Sequence, residues 1–446
     1  MMNSQLNYQP KRHITIVESA RGFAALYVLI MHVVILTGLS TSLPVGSYSK
    51  TGVDLFLLYG HQAVLLFFVL SGFSIHYASA DRQLNHKEGL LNYYYLRWRR
   101  IYPIFFLAVL LTLGLDVLGT ALSLYSYPQD INELDFLHAL FTFSFLTDRS
   151  YVDGILQPVL NSNGPLWSLS YEVFYYMIYP AYWFISKRYG ITGSILLGII
   201  LSVSSFVLGK MFGAQHILNV LNLYVIWCLG AVLAEMHRRS ISYQLPAYIH
   251  TLLIYIVLQA AWVLGNVTYT VGAFFEITWG FLFFLIMLLY IRKDSVHELN
   301  TGYKAMVFCI AFLGYLVILA GVNRLHFVSD LQLFYSRITL TLLMFGFGLF
   351  IPRFDIQSIS NALLKPVYKF GKSSYGIYII HYPMLLFVIY AIQKIGLLVW
   401  LSVLFVPVIL YLAWVIELRY QPFVLRYLDP IALRMHLLKS RKTNAQ

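Results

Sequence analysis

The chain has 446 residues, 59% of them hydrophobic and only 11% charged, with a formal net charge of +12. A soluble globular chain carries about 25% charged and roughly 45–50% apolar residues. A soluble enzyme, a disordered chain, a collagen and a coiled coil are therefore excluded as the main architecture. Mean hydropathy is +0.70, so the length counts bilayer crossings of about 20 residues each.

Residues 1–16 form a polar lead-in with no small-residue cleavage site, so no removable leader is expected. Spans are predicted over 17–38, 60–79, 101–122, 167–186, 191–209 and 219–236. Six more follow over 248–267, 273–291, 305–322, 338–351, 373–393 and 397–418. The run 338–351 is short, and the group 248–322 has room for a re-entrant helix, so ten spans is the alternative to twelve. The expected fold is an all-α polytopic bundle of about 10–12 transmembrane helices. It comprises a transmembrane region 17–418 and a basic tail 419–446 that lies along the membrane surface.

Alternate connecting segments collect 25 of the 31 lysines and arginines. This is the positive-inside bias, and it predicts that both termini are cytoplasmic. It also accounts for the net charge, so no nucleic-acid partner is implied and membrane lipids are the expected surroundings. The longest polar stretch, 123–166, then faces outward. It holds Asp130, Glu133, Asp135, Asp148 and Asp153 against Arg149, and suits a solvated loop or a wall for a polar acceptor. Cys228 and Cys309 each sit in an apolar run and are expected as small core residues. Neither a disulfide framework nor a zinc spacing is present, and no metal is expected.

Ionisable groups inside spans are costly and mark candidate sites. In the first span Arg21 and His32 are eleven residues apart, which puts them on one face about 16 Å from each other along the axis. In the second, Ser71 and Gly72 are small enough for close helix approach. Arg97 and Arg100 share a face at a predicted helix start, where guanidinium forks suit phosphate groups. The segment 163–180 places Pro165 in a first helical turn, Trp167 at the outer interface and Glu172 deeper, with Ser168 and Tyr176 on the Glu172 face. Near the C-terminus Ser374, Tyr378 and His381 share a face, and Pro383 is expected to kink their helix.

Together these stretches resemble the acyltransferase-3 family of integral-membrane O-acyltransferases. Arg21 and His32 are similar to its basic-x10-His motif, and residues 66–73, LFFVLSGF, to its second-span signature. Arg97-Trp-Arg-Arg100 before Ile-Tyr-Pro resembles its Arg-x-x-Arg motif. Trp167-Ser-Leu-Ser-Tyr-Glu172 and Ser374-Tyr-x-x-Tyr378-x-x-His381 resemble two later motifs, so the likeness extends over residues 15–385. One departure is Leu65, where the family often has an acid; Asp54 and His61 lie upstream.

The resemblance implies transfer of an acyl group, commonly acetyl, from cytoplasmic acyl-CoA to a sugar hydroxyl. The acceptor would be a cell-envelope glycan or its lipid-linked precursor, in the bacterial inner membrane. A hydroxyl needs a positioned base to take its proton. His32 is the expected base, with Glu172 holding its tautomer. Arg21 would meet the pantetheine arm and Arg97 and Arg100 the CoA phosphates, with Ser71, Tyr378 and His381 completing the donor-binding set. A transporter could use the same charges without covalent chemistry, but no inverted repeat is evident. A small-molecule or lipid acceptor, and an assembly subunit, are further alternatives.

Overall fold

The computed structural model describes residues 11–44, 47–57, 59–124, 147–148, 157–158, 160, 162–212, 220–241, 247–266, 272–291, 301–325, 331–350, 362, 365–435 and 437. Backbone groups in lipid must find partners within their own segment, which leaves helices or closed barrels. Helices dominate here. They are α1 (Lys11–Leu36), α2 (Gly60–Ser79), α3 (Lys87–Ala121), α4 (Trp167–Phe212), α5 (Tyr224–Arg238) and α6 (Ala247–Asn266). Next come α7 (Gly272–Ile291), α8 (Thr301–Leu325), α9 (Leu331–Phe350) and α10 (Ser374–Lys394). The last pair is α11 (Val406–Val415) and α12 (Gln421–Arg434).

Among the described residues, eight helices are long and apolar enough to cross a membrane. Three shorter apolar runs, Ile249–Leu264, Phe274–Leu289 and Phe334–Phe347, lie in α6, α7 and α9. α4 has 46 residues, and Gly190 breaks it with φ 64° and ψ −156°. Only glycine takes that conformation at low cost. With this break, a helix lies over every one of the twelve predicted spans.

The interior sits around α2 and α5, whose apolar windows are each 72% buried, against 11% for α8. Lipid tails are as apolar as leucine, so helices associate through small residues, close packing and hydrogen bonds. A Cβ on Gly72 would lie 2.0 Å from the Trp227 carbonyl oxygen, and one on Gly230 would lie 1.9 Å from that of Val69. The two glycines therefore interlock α2 and α5 backbone to backbone, which fixes Ser71 at the centre. α4 joins this pair through an aromatic stack in which the Tyr175 and Tyr224 rings are 5.3 Å apart and Tyr224 stacks on Trp227 at 5.6 Å. The Tyr175 hydroxyl donates to the Val220 carbonyl at 3.0 Å.

Several expectations are corrected. α3 begins at Lys87, so Arg97 and Arg100 lie well inside a 35-residue helix rather than at its start. The predicted tail begins within a continuous helical run. α11 runs through a π-helical turn, Ile416–Tyr420, straight into α12. There Asp429 pairs with Arg99 at 3.0 Å and accepts from the Tyr95 hydroxyl at 2.9 Å, which ties α12 to α3. Cys228 is buried, but Cys309 is exposed because α8 is peripheral. Most of the predicted outer stretch, 125–146 and 149–156, lies outside the described residues. Its described parts include a two-residue parallel pairing of Thr147–Asp148 with Gln157–Pro158, and the short turn Gly164–Leu166 that leads into α4.

Candidate active site

α1 presses against the turn before α10: a Cβ on Gly22 would meet the Val367 carbonyl oxygen at 2.3 Å. This approach brings two motif helices together along their length. At one level the Nδ1 atom of His32 lies 2.9 Å from Nε2 of His381. The His381 Nδ1 atom lies 3.0 Å from the Ile377 carbonyl oxygen and 2.8 Å from that of Tyr378. Carbonyl oxygens only accept, so Nδ1 of His381 carries the hydrogen. In the neutral ring its Nε2 is then the acceptor, and the His32 Nδ1–H donates to it. His381 is fully buried, and the edge of Tyr382 meets the His32 ring with centroids 4.9 Å apart.

Below the histidine pair, a narrow cavity of about 80 Å³ runs between α1, α2, α3, α4 and α10. Its wall carries five of the predicted site residues: Arg21, Ser71, Arg100, Glu172 and Tyr378. Pockets that enclose a whole drug-sized ligand measure about 300–1,000 Å³, so this one suits the end of a long substrate rather than all of it. A more open groove of about 540 Å³ over Arg99, Arg426 and Asp429 has none of the predicted site residues in its lining.

Within the cavity, Ser71 Oγ donates to Glu172 Oε1 at 3.1 Å, and the Tyr176 hydroxyl donates to the same oxygen. The Tyr378 hydroxyl donates to the Pro165 carbonyl at 3.0 Å and lies 2.7 Å from Ser168 Oγ. These bonds tie α2, α4 and α10 to one another around the space. Glu172 was expected to hold the His32 ring. The structure gives that place to His381, because α10 packs along α1 while Glu172 faces Ser71 across the cavity.

A model of the acyltransferase domain family matches residues 14–418. The chain belongs to the acyltransferase-3 family. No curated protein and no solved structure matches it. The protein is thus a multi-pass membrane acyltransferase, and the cavity gathers residues from all five of its family-like motifs.

The two arginines of the Arg-x-x-Arg motif are used differently in this acyltransferase. Arg100 reaches the cavity but its Nη2 pairs with Glu417 Oε1 at 2.6 Å, while Glu417 Oε2 accepts the Gly376 backbone N–H at 2.9 Å. Arg97 lies one turn away with its guanidinium 5.6 Å from the Tyr93 ring centre, and its buried Nε has no acceptor among the described residues. Sequence reasoning missed Glu417; the signal was a lone carboxylate at the end of an apolar run. It also missed the His76–Glu235 bond of 2.9 Å between α2 and α5, and the His61–Glu276 bond of 2.5 Å between α2 and α7.

Proposed function

We propose that the protein transfers an acetyl group from cytoplasmic acyl-CoA to a sugar hydroxyl of a cell-envelope glycan or its lipid-linked precursor in the bacterial inner membrane. Membership of the family supports the transfer, and the His32–His381 bond is the observation that carries the chemistry. With the proton of neutral His32 held on Nδ1, the lone pair lies on Nε2, which is the form a general base needs.

The acceptor hydroxyl gives its proton to His32 Nε2 while its oxygen attacks the thioester carbonyl carbon. A carbon–oxygen bond forms, and the carbon–sulfur bond breaks as the tetrahedral intermediate collapses. The thiolate takes the proton from the His32 imidazolium, so the products are the ester and CoA thiol, and His32 returns to its starting form. Neutral His381 stays a hydrogen-bond acceptor throughout and steadies the imidazolium. Arg21, Ser71 and Glu172 line the path of the donor arm, whose amide N–H groups suit the Glu172 carboxylate.

Sidedness rests on the positive-inside bias, which supports Arg97 and Arg100 facing the cytoplasm, where acyl-CoA is made. The acidic stretch 123–166 would then face the acceptor side. The test is radiolabelled acetyl-CoA added to membranes from producing cells. Label is expected in glycan or its lipid-linked precursor with the native chain, and not with His32→Ala at equal membrane abundance. Solute movement without covalent labelling would refute the reading.

A further inference from the structure

We propose that Arg82, Arg97 and Arg238 form a site for a terminal phosphate monoester at the end of the bundle remote from His32. The proposal rests on the reading of the donor as a CoA thioester, and adds two arginines outside every motif. Arg82 follows α2, Arg97 lies in α3 and Arg238 ends α5. They are gathered around Tyr179. Arg97 lies over the Tyr93 ring at 5.6 Å, and that ring stacks on Tyr179 at 5.2 Å. The Tyr179 hydroxyl lies 3.1 Å from His76, whose partner Glu235 is 3.8 Å from Arg238, and Arg82 bonds Asn92 next to Tyr93.

Their donors exceed their acceptors. Arg97 Nε, and Arg238 Nε and Nη1, are buried without a hydrogen-bond acceptor among the described residues. Arg238 Nη2 pairs with Asp81, and Arg238 Nε is 3.8 Å from Glu235. Glu235 is already bonded to His76 at 2.9 Å and Arg239 at 2.5 Å. Arg82 Nη1 donates to the neutral Asn92 at 2.9 Å. Burial, and the charge of Arg97 beside it, lower the Arg82 pKa. Two carboxylates thus face four guanidiniums in this group among the described residues.

Buried charged donors without acceptors are costly, and an anion beside Arg97 and Arg238 would satisfy theirs while meeting the charge of Arg82. A carboxylate has two oxygens, whereas a phosphate monoester presents three and carries up to two charges. The group lies next to the cavity: Arg97 is one helical turn from Arg100, which lines it. A molecule with its phosphate here would extend its other end toward His32, which is the layout of a nucleotide-bearing thioester. An anionic lipid headgroup shares the phosphate chemistry but not that extension.

The test compares acetyl-CoA with acetyl-dephospho-CoA, which lacks only the monoester, in phosphatidylcholine nanodiscs. Arg82→Gln and Arg238→Gln are measured beside Arg82→Lys and Arg238→Lys, which keep the charge. The native chain should prefer acetyl-CoA in kcat/KM by about tenfold or more, the worth of one charge-assisted contact. Each glutamine variant should bring that ratio close to one, and the lysine variants should recover part of it. Calorimetric titration with CoA, independent of turnover, should show the same loss. Unchanged preference in folded glutamine variants overturns the site while leaving acetyl transfer standing. Loss of CoA binding in those variants, without transfer in the native chain, keeps the site and removes the transfer reading. If phosphatidate in the nanodisc displaces CoA from the native chain and the variants lose only that effect, the ligand is a lipid and the donor assignment falls.

Discussion

Replacing His381 by phenylalanine keeps the ring volume and removes the acceptor for His32 Nδ1–H, now at 2.9 Å. The partly buried His32 donor would be left without this acceptor, at a cost of about 1–3 kcal/mol. The same free energy favours the tautomer with its lone pair on Nε2. Losing it should lower kcat by roughly 5–150-fold, at about 1.4 kcal/mol per factor of ten. His32→Ala removes the base itself and should cost about 10²–10⁴-fold. Because His381 acts through His32, the double variant should be no worse than His32→Ala alone. KM for acetyl-CoA should stay close to native in His381→Phe. The assay is the initial rate of labelled acetyl incorporation into membranes from producing cells, with a melting temperature on the same purified sample. A His381→Phe variant that melts lower yet turns over normally would make the bond structural. A further loss on adding His381→Phe to His32→Ala would show that His381 does not act through His32.

Glu172→Gln removes the charge opposite Ser71 and Tyr176 in the cavity proposed to hold the donor. It should raise KM for acetyl-CoA by about tenfold with a much smaller change in kcat; a collapse of kcat at native KM would return Glu172 to the base. Glu417 is almost fully buried, whereas Arg100 is 41% exposed. Arg100→Ala should lower thermal stability by about 1–3 kcal/mol, less than for a fully buried pair because solvent screens the arginine. Adding Glu417→Leu should recover part of that loss, and a native melting temperature in Arg100→Ala would refute the argument. Gly230→Val should abolish monodisperse protein in detergent, since its Cβ would meet backbone at 1.9 Å, while Gly114→Ala, with nothing within 4 Å, should behave as native. A stable, monodisperse Gly230→Val protein would contradict the interlock of α2 and α5.

The spans were legible because hydropathy reports the solvent, and in lipid the solvent dictates helices. The faces were legible too: the eleven-residue spacing of Arg21 and His32 is a property of α1 alone. Their partners were not. His32 and His381 are 349 residues apart, and nothing local in α1 states that α10 packs beside it. Chemical analogy favours a carboxylate for the histidine and points to Glu172, yet Glu172 faces Ser71 across the cavity. The same limit hid the unequal fates of Arg97 and Arg100. Spacing makes them equivalent, and only the return of the chain as Glu417 pairs one and leaves the other beside tyrosines.

These partner assignments together explain a distance that spacing could only state. Arg21 lines the cavity, whereas His32 lies about 16 Å farther along the same helix, at the level of His381. A base within the 80 Å³ cavity would share it with the donor and leave no room for a second substrate. With the donor proposed above, a base beyond its end would meet the thioester where the arm emerges, and would take an acceptor from the opposite side of the bundle. In that arrangement, α1 is a ruler between the two substrates. On the proposed reading, its length between Arg21 and His32, rather than any single contact, would let a cytoplasmic donor and an outward-facing acceptor react without either crossing the membrane.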